Sequence, residues 1–327
     1  MTKVAVLDDW QGLARRCADW SALEARSEVV FFGQAFESED AAAQKLAEFD
    51  IILSMRERTP LPASLIERLP RLRMLGITGV QNRSLDLAAC TAKKIMVSNT
   101  VGQGRHRDST AELALGLMLA VARSIPTADA NMRAGRFQEG LPAGMSMSGK
   151  TIGIVGLGKL GIQMARYAKA LGMNLLAWSE NLTAERVEAE GGTLVSKEEL
   201  FSRSDVVSIH LVLSPRSRGL IGAAELARMK QGAILVNTSR GPIIEEGALI
   251  AALESGRIRA GLDVFDREPL PPEHPLRRAP NVVLTPHLGY CVQETWDEYY
   301  PQSVENALAY LDGKPVRVVN PEAVSST

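Results

Sequence analysis

The sequence predicts an α/β protein built as two doubly wound parallel-sheet domains, on three observations. Short apolar runs alternate with helix-like segments along almost the whole chain, the pattern of parallel strands covered on both faces. A glycine turn, Gly156-Leu157-Gly158-Lys159-Leu160-Gly161, stands between one such strand and one such helix. The last long helical segment, residues 292–311, has no strand of the second series left to cover, so it is expected to return to the first. A chain of 327 residues has room for both domains. The first is expected to be discontinuous, residues 1–100 plus 290–327, with residues 101–289 inserted as the second.

Residues 3–7, 28–32, 51–55, 72–77 and 95–97 are apolar runs of strand length. Helices are expected between them at 38–49, 62–69 and 84–93. Ser38 opens the first as an N-cap, with Glu39 and Asp40 in its first turn. Residues 108–123 form a helix apolar on nearly every face, which therefore packs between domains or subunits rather than facing water. Residues 124–148 carry Pro126, Gly135, Gly140 and Pro142 and read as a loop. Strands at 151–155 and 174–178 flank the glycine turn and its helix. The alternation then resumes with helix 185–190, strand 193–195 and a small helix opened by a Ser196/Glu199 capping box. Strands follow at 205–210, 233–237, 260–265 and 282–285, with helices at 223–229 and 245–254 between them, giving a sheet of six or seven strands. Residues 316–319 are expected as a last short strand.

Composition, 46% hydrophobic and 23% charged, is that of a globular protein. A formal net charge of −1 gives no reason to expect nucleic acid or an anionic membrane as partner. No apolar run approaches the length of a bilayer span, and the chain leads from Met1 straight into a strand, so neither membrane helix nor signal peptide is expected. Cys17, Cys90 and Cys291 are far apart, without C-x-x-C spacing, and read as buried or incidental thiols in a reducing cytoplasm. No metal site is expected.

Strand, G-x-G-x-x-G, helix, strand is the order of a dinucleotide-binding Rossmann unit. Gly156 turns the chain off the strand, Gly158 lets backbone N–H groups approach a pyrophosphate, and Gly161 brings the helix against the sheet. The helix start at Lys159 and Leu160 offers unpaired donors and its positive dipole end. Lys159 either adds charge there or is an exposed helix-start lysine. An acid about 20 residues beyond the glycines usually takes the adenosine ribose. Ser179 stands at that place here and Glu180 follows. No arginine occupies the next five positions, and Glu180 would repel a 2′-phosphate, so NAD is favoured while NADP stays open.

The block Gly149-Lys150-Thr151-Ile152-Gly153-Ile154-Val155-Gly156-Leu157-Gly158 is followed by Asp205-Val206-Val207-Ser208-Ile209-His210 and Val236-Asn237-Thr238-Ser239-Arg240-Gly241. Then come Gly261-Leu262-Asp263-Val264-Phe265 with Glu268-Pro269-Leu270, and Thr285-Pro286-His287-Leu288-Gly289. On these blocks, in this order, the chain resembles the D-isomer-specific 2-hydroxyacid dehydrogenases over essentially its whole length. The resemblance implies a Rossmann coenzyme domain inserted in a flavodoxin-like substrate domain, with a cleft that closes between them. It also implies an NAD-dependent oxidoreductase interconverting a small 2-oxo acid and its D-2-hydroxy acid; the cysteines point to the cytoplasm, and the buried helix at 108–123 suggests a homodimer. Arg240, Glu268 and His287 fall on the family's catalytic trio. The assignment suits the chemistry: reduction needs a hydride on carbon and a proton on oxygen. His287 can deliver the proton, Glu268 beside it would favour the imidazolium, and the Arg240 fork can hold the substrate carboxylate.

The same resemblance places Asp263 at the nicotinamide carboxamide, the alternative being a strand-end turn cap. Thr238 lies at a strand's carboxyl end facing the coenzyme, Pro215 lies along the adenine, and His210 sits close by as a structural group. The backbone of Thr78, Gly79 and Val80 would receive the substrate carboxylate. Arg56 would add positive charge for a second acid group, or is simply solvated near Glu57. Tyr290 would line or narrow the cleft. His106 and His274 carry no motif and read as surface residues, and residues 104–108 are unusually basic. With nothing appended after Thr327, the long forms of phosphoglycerate dehydrogenase are not expected. Two alternatives remain: a dehydrogenase of the same fold acting on formate or phosphite, and a non-enzymatic NADH-sensing protein of the corepressor type.

Overall fold

The computed structural model describes residues 1–102 and 108–324. The chain divides into two compact units, Met1–His106 with Val292–Thr327, and Arg107–Cys291. In the first unit, β1 (Thr2–Val6), β2 (Ser27–Phe31), β3 (Ile51–Ser54), β4 (Met74–Ile77) and β5 (Met96–Asn99) form one parallel sheet in the order β2-β1-β3-β4-β5. Strands β3 and β4 are buried along their whole length, as expected of strands covered on both faces. Ser38 caps the helix Glu39–Leu46 by accepting from Ala41 N–H at 3.2 Å. The helix Gln293–Leu311 belongs to this unit and packs against β4, β5 and the short helices Ala14–Cys17 and Ser21–Glu24. It runs through Pro301 and buries Trp296, Tyr299, Tyr300 and Val304.

The second unit holds β6 (Thr151–Val155), β7 (Asn174–Trp178), β8 (Thr193–Leu194), β9 (Val206–Ile209), β10 (Ala233–Asn237), β11 (Ile258–Leu262) and β12 (Val282–Leu284). They form a parallel sheet in the order β12-β11-β10-β9-β6-β7-β8. The order reverses between β6 and β9, a switch point at whose carboxyl edge ligands bind in sheets of this kind. The capping box of the helix Lys197–Arg203 is complete: Glu199 N–H donates to Ser196 Oγ and Ser196 N–H to Glu199 Oε2, both at 3.1 Å.

Two expectations, the loop at 124–148 and the strand at 316–319, are corrected. Residues 125–133 are a helix, not loop: Pro126 sits in its first turn, where its missing N–H costs nothing, and Gly135 follows its end at φ 74°. The helix Ser109–Arg123 turns Ala114, Leu117, Met118, Val121 and Ala122 into the core of its own unit, beside β10 and β11, while Leu113, Leu115 and Leu119 remain half-buried. Residues 316–319 form no strand. Arg317 adopts φ 51°, which breaks the extended run, and a lone antiparallel bridge joins Ser98 to Val318. Asn320 takes over the edge of β5, accepting from Val97 N–H at 2.7 Å and donating to Ile95 O at 3.0 Å. No single helix among the described residues is long and apolar enough to cross a membrane.

Candidate active site

The glycine turn leaves β6 at the switch point. Gly156 has φ 97°, and a Cβ there would press on the His210 carbonyl at 2.8 Å. A Cβ on Gly161 would overlap the Gly156 carbonyl oxygen, so the helix Lys159–Ala170 can start this close to the turn only with glycine. Gly158 is the N-cap, no side chain caps the helix, and a Cβ at Gly158 would meet open space. No side chain caps the first-turn N–H groups of Lys159, Leu160 and Gly161, which leaves them for a pyrophosphate to satisfy. Lys159 is exposed.

Two buried polar atoms along this edge have no partner in the protein, His210 Nδ1 and Thr238 Oγ1. Orphaned groups of this kind fit a ligand that supplies the missing hydrogen bonds, and a dinucleotide lying across the turn would do so. His210 Nε2 meets Ser208 Oγ at 2.9 Å, and burial pulls the imidazole down to a pKa of about 4, so the ring is neutral at physiological pH. It is no proton donor. Ser179 is half-buried at the end of β7, Glu180 and Pro215 are exposed. Arg186, passed over in the sequence because it lies six positions beyond Glu180, returns to the turn and donates from Nη2 to Leu157 O at 3.1 Å.

His287 and Glu268 meet at 2.6 Å, Nδ1 to Oε2. Glu268 Oε1 accepts from Phe265 N–H at 2.9 Å, so both carboxylate oxygens are oriented. His287 itself lies at φ 54°, a left-handed conformation rare outside glycine, on a tight loop closed by His287 N–H to Thr285 O at 3.0 Å. Asp263 holds that loop. Fully buried, it accepts from Thr285 Oγ1 at 2.6 Å, Leu288 N–H at 2.7 Å and Gly289 N–H at 3.0 Å. Burial pushes its carboxyl above the ordinary range while these donors and His287 oppose the shift. This fits the turn-cap alternative for Asp263, with the capped turn at residues 285–289. Tyr290 stands edge-on to the His287 ring, centroids 5.9 Å apart. Arg240 follows β10; its Nη1 donates to Ser239 O at 2.7 Å, and its own carbonyl accepts from Asn237 Nδ2 at 3.0 Å.

In the first unit the expected substrate loop is differently wired. Thr78 Oγ1 accepts from Arg56 N–H at 2.7 Å, and Gly79 N–H donates to Thr100 Oγ1 at 2.9 Å. The Thr78 hydroxyl and Gly79 N–H are therefore engaged internally rather than turned toward a ligand. Val80, 63% exposed, stands at the outer end of the loop. Arg56 sits against the loop, and Tyr299, not singled out from the sequence, shares that space. His274 is not a surface residue: Nε2 meets Glu246 at 3.0 Å, and Nδ1 accepts from Leu276 N–H at 3.3 Å to cap a short turn. His106 and the basic residues 104–107 lie outside the described residues. Among the described residues no cluster of His, Cys, Asp and Glu could hold a metal.

Residues 115–289 match the family model for the NAD binding domain of D-isomer specific 2-hydroxyacid dehydrogenases. A glyoxylate reductase of Korarchaeum cryptofilum is 36% identical over 298 residues, 89% of this chain and 89% of its own. A D-3-phosphoglycerate dehydrogenase of Archaeoglobus fulgidus is 36% identical over 281 residues, 86% of this chain but 53% of its own, so the chain spans about half the length of that relative. The crystal structure of a phosphoglycerate oxidoreductase from Vibrio cholerae matches with a TM-score of 0.88 at 31% identity, covering 96% of this chain and 100% of that one. The chain belongs to the D-isomer-specific 2-hydroxyacid dehydrogenase family.

Proposed function

We propose that the protein is an NAD(H)-dependent oxidoreductase that interconverts a small 2-oxo acid and its D-2-hydroxy acid. The observation that carries this reading is the 2.6 Å contact between His287 Nδ1 and Glu268 Oε2. A carboxylate on one ring nitrogen fixes the ring's orientation and leaves proton transfer to Nε2. In the reducing direction His287 hands a proton to the substrate oxygen as charge develops there, while Glu268 on Nδ1 holds the ring in place. In the oxidising direction neutral His287 is the base. Arg240 holds the substrate carboxylate through its planar fork. The bound nicotinamide supplies or receives the hydride. The glycine turn with Lys159, Leu160 and Gly161 would hold its pyrophosphate, while His210, Pro215, Thr238 and Asp263 would line its length.

NAD(H) is the preferred coenzyme on this reading, because Glu180 follows the end of β7, where it would repel a 2′-phosphate. One observation favours NADP(H) as the second reading: Arg186 lies against the glycine turn, close enough to Leu157 to hydrogen-bond its carbonyl. The first unit (Met1–His106 with Val292–Thr327) would serve as substrate domain and the second as coenzyme domain. Glyoxylate, hydroxypyruvate and phenylpyruvate assayed with NADH and NADPH in parallel test the activity. Formate and phosphite in the same panel test the rival chemistry. His287→Ala is expected to lower kcat by roughly 10²–10⁴ while leaving coenzyme affinity nearly unchanged. Loss of coenzyme binding in that variant would remove His287 as proton donor. Coenzyme binding by the wild type without turnover on any acid would favour a sensor instead.

A further inference from the structure

The two orphaned atoms of the second unit, His210 Nδ1 and Thr238 Oγ1, belong to neighbouring residues. Strands β9 and β10 run parallel with Ile209 beside Asn237, so His210 and Thr238 stand side by side one step further on, at the carboxyl edge. Both atoms are buried, and among the described residues neither satisfies the other. The edge continues directly from the glycine turn, since His210 N–H donates to Val155 O at 2.8 Å. Across β9 and β10 the pair lies one and two strand spacings from that turn, about 5 and 10 Å. Ser208, fully buried on β9, meets His210 Nε2 through Oγ at 2.9 Å and so fixes the ring with its other nitrogen left over. A hydroxyl can donate to Nε2 or accept from it, so Nδ1 can serve as acceptor or donor, and Thr238 Oγ1 has the same freedom.

We propose that His210 Nδ1 and Thr238 Oγ1 form a two-point clamp for the vicinal hydroxyls of the coenzyme's nicotinamide ribose, with Ser208 as the residue that positions the imidazole. The inference rests on the reading of a dinucleotide at the glycine turn. Two adjacent buried atoms, each able to donate or accept, match a diol, whose two hydroxyls have the same double character. The imidazole is neutral at physiological pH, which suits an uncharged group rather than a phosphate. The choice of ribose follows from strand order. Adenosine is expected at the end of β7, on one side of β6, whereas β9 and β10 lie on the other, so the pair meets the second nucleoside.

Calorimetry on the full chain with three probes tests this: ADP, which ends at the pyrophosphate, ADP-ribose, which adds the second ribose alone, and NADH. Thr238→Val and His210→Phe are each expected to weaken ADP-ribose and NADH by about tenfold, the loss of one hydrogen bond, with ADP affinity unchanged. Unchanged ADP binding also reports an intact glycine turn in each variant. Ser208→Ala should weaken the same two probes by a smaller factor, and Ser208→Ala with His210→Phe no further than His210→Phe alone. Thr238→Ser keeps the hydroxyl and should bind all three probes as the wild type does. Wild-type affinity for ADP-ribose in Thr238→Val and His210→Phe would overturn the proposal, and a loss confined to NADH would assign the pair to the nicotinamide carboxamide instead. An equal loss of ADP in both variants would likewise overturn it. A wild type that binds none of the probes would sink the coenzyme reading as well. The expected split between ADP and ADP-ribose, with no turnover on any 2-oxo acid, would uphold the clamp and sink only the dehydrogenase reading.

Discussion

Asp263 shows how a single buried carboxylate can set the position of a group it is not bonded to. Its three donors, Thr285 Oγ1 and the N–H groups of Leu288 and Gly289, bracket His287 on both sides along the chain. Asp263→Asn puts an NH₂ group against N–H donors whichever way the amide turns. The expected result is a stability loss of about 1–3 kcal/mol and a fall in kcat larger than any change in coenzyme affinity. Thermal unfolding and steady-state kinetics on one preparation measure both. Unchanged kcat would mean that His287 keeps its place without this brace. At this scale the sequence is legible where chemistry depends on residue type and order. The glycine turn could be picked out by identity and spacing, while Arg240, Glu268 and His287 were named through the family resemblance, and of these His287 and Glu268 meet at 2.6 Å. Tyr299 and Arg186 could not, because each reaches its partner from another element and neither carries a local signature. The same limit explains Thr78, whose hydroxyl is consumed by Arg56 N–H 22 positions away.

At the scale of elements, strands and long helices were readable from apolar runs and caps, while connections were misjudged. Pro126 and Gly135 read as loop punctuation, yet they frame the helix Ile125–Arg133 from its two ends. Proline in a first turn and glycine beyond a last turn are signals of a helix as much as of its absence. That helix and its continuation expose Ile125 (51%), Met132 (59%) and Phe137 (65%), and the neighbouring helix Ser109–Arg123 leaves Leu113, Leu115 and Leu119 incompletely covered. We propose that this face pairs two copies of the chain. Sedimentation should give a dimer, and replacing both Met132 and Phe137 by Lys should shift it toward monomer. A monomeric wild type at micromolar concentration would end the proposal.

Asp8 in the first unit and His210 in the second are expected to answer acid in opposite senses. Asp8, 6% exposed in the first unit, accepts from Thr59 Oγ1 at 2.9 Å, but burial dominates and raises its pKa from 3.8 to about 6. Folded Asp8 therefore holds its proton more tightly than the unfolded chain does. Its contribution is complete below pH 4 and is lost as pH rises through 6, worth about 3 kcal/mol. His210, in the second unit, is depressed from 6.5 to about 4 by burial. Its contribution is complete above pH 6.5 and is lost as pH falls through 4, again worth about 3 kcal/mol. Asp8→Asn should thus stabilise the first unit at pH 7 and flatten its response between pH 4 and 6. Hydrogen exchange of the two cores, followed as a function of pH, checks this. A first-unit response between pH 4 and 6 unchanged by Asp8→Asn would refute it.

The first unit's helix Gln293–Leu311 comes last in the chain, whereas the five strands beside it come first. On the ribosome those strands emerge early and must wait, their apolar face lacking Trp296, Tyr299, Tyr300 and Val304, until the whole of Arg107–Cys291 has been synthesised. The inserted unit is contiguous and can finish first. Nascent chains arrested shortly after Cys291 should therefore carry a protease-resistant middle and a chaperone-dependent beginning, a vulnerability that ends only when the final twenty or so amino acids of that helix arrive.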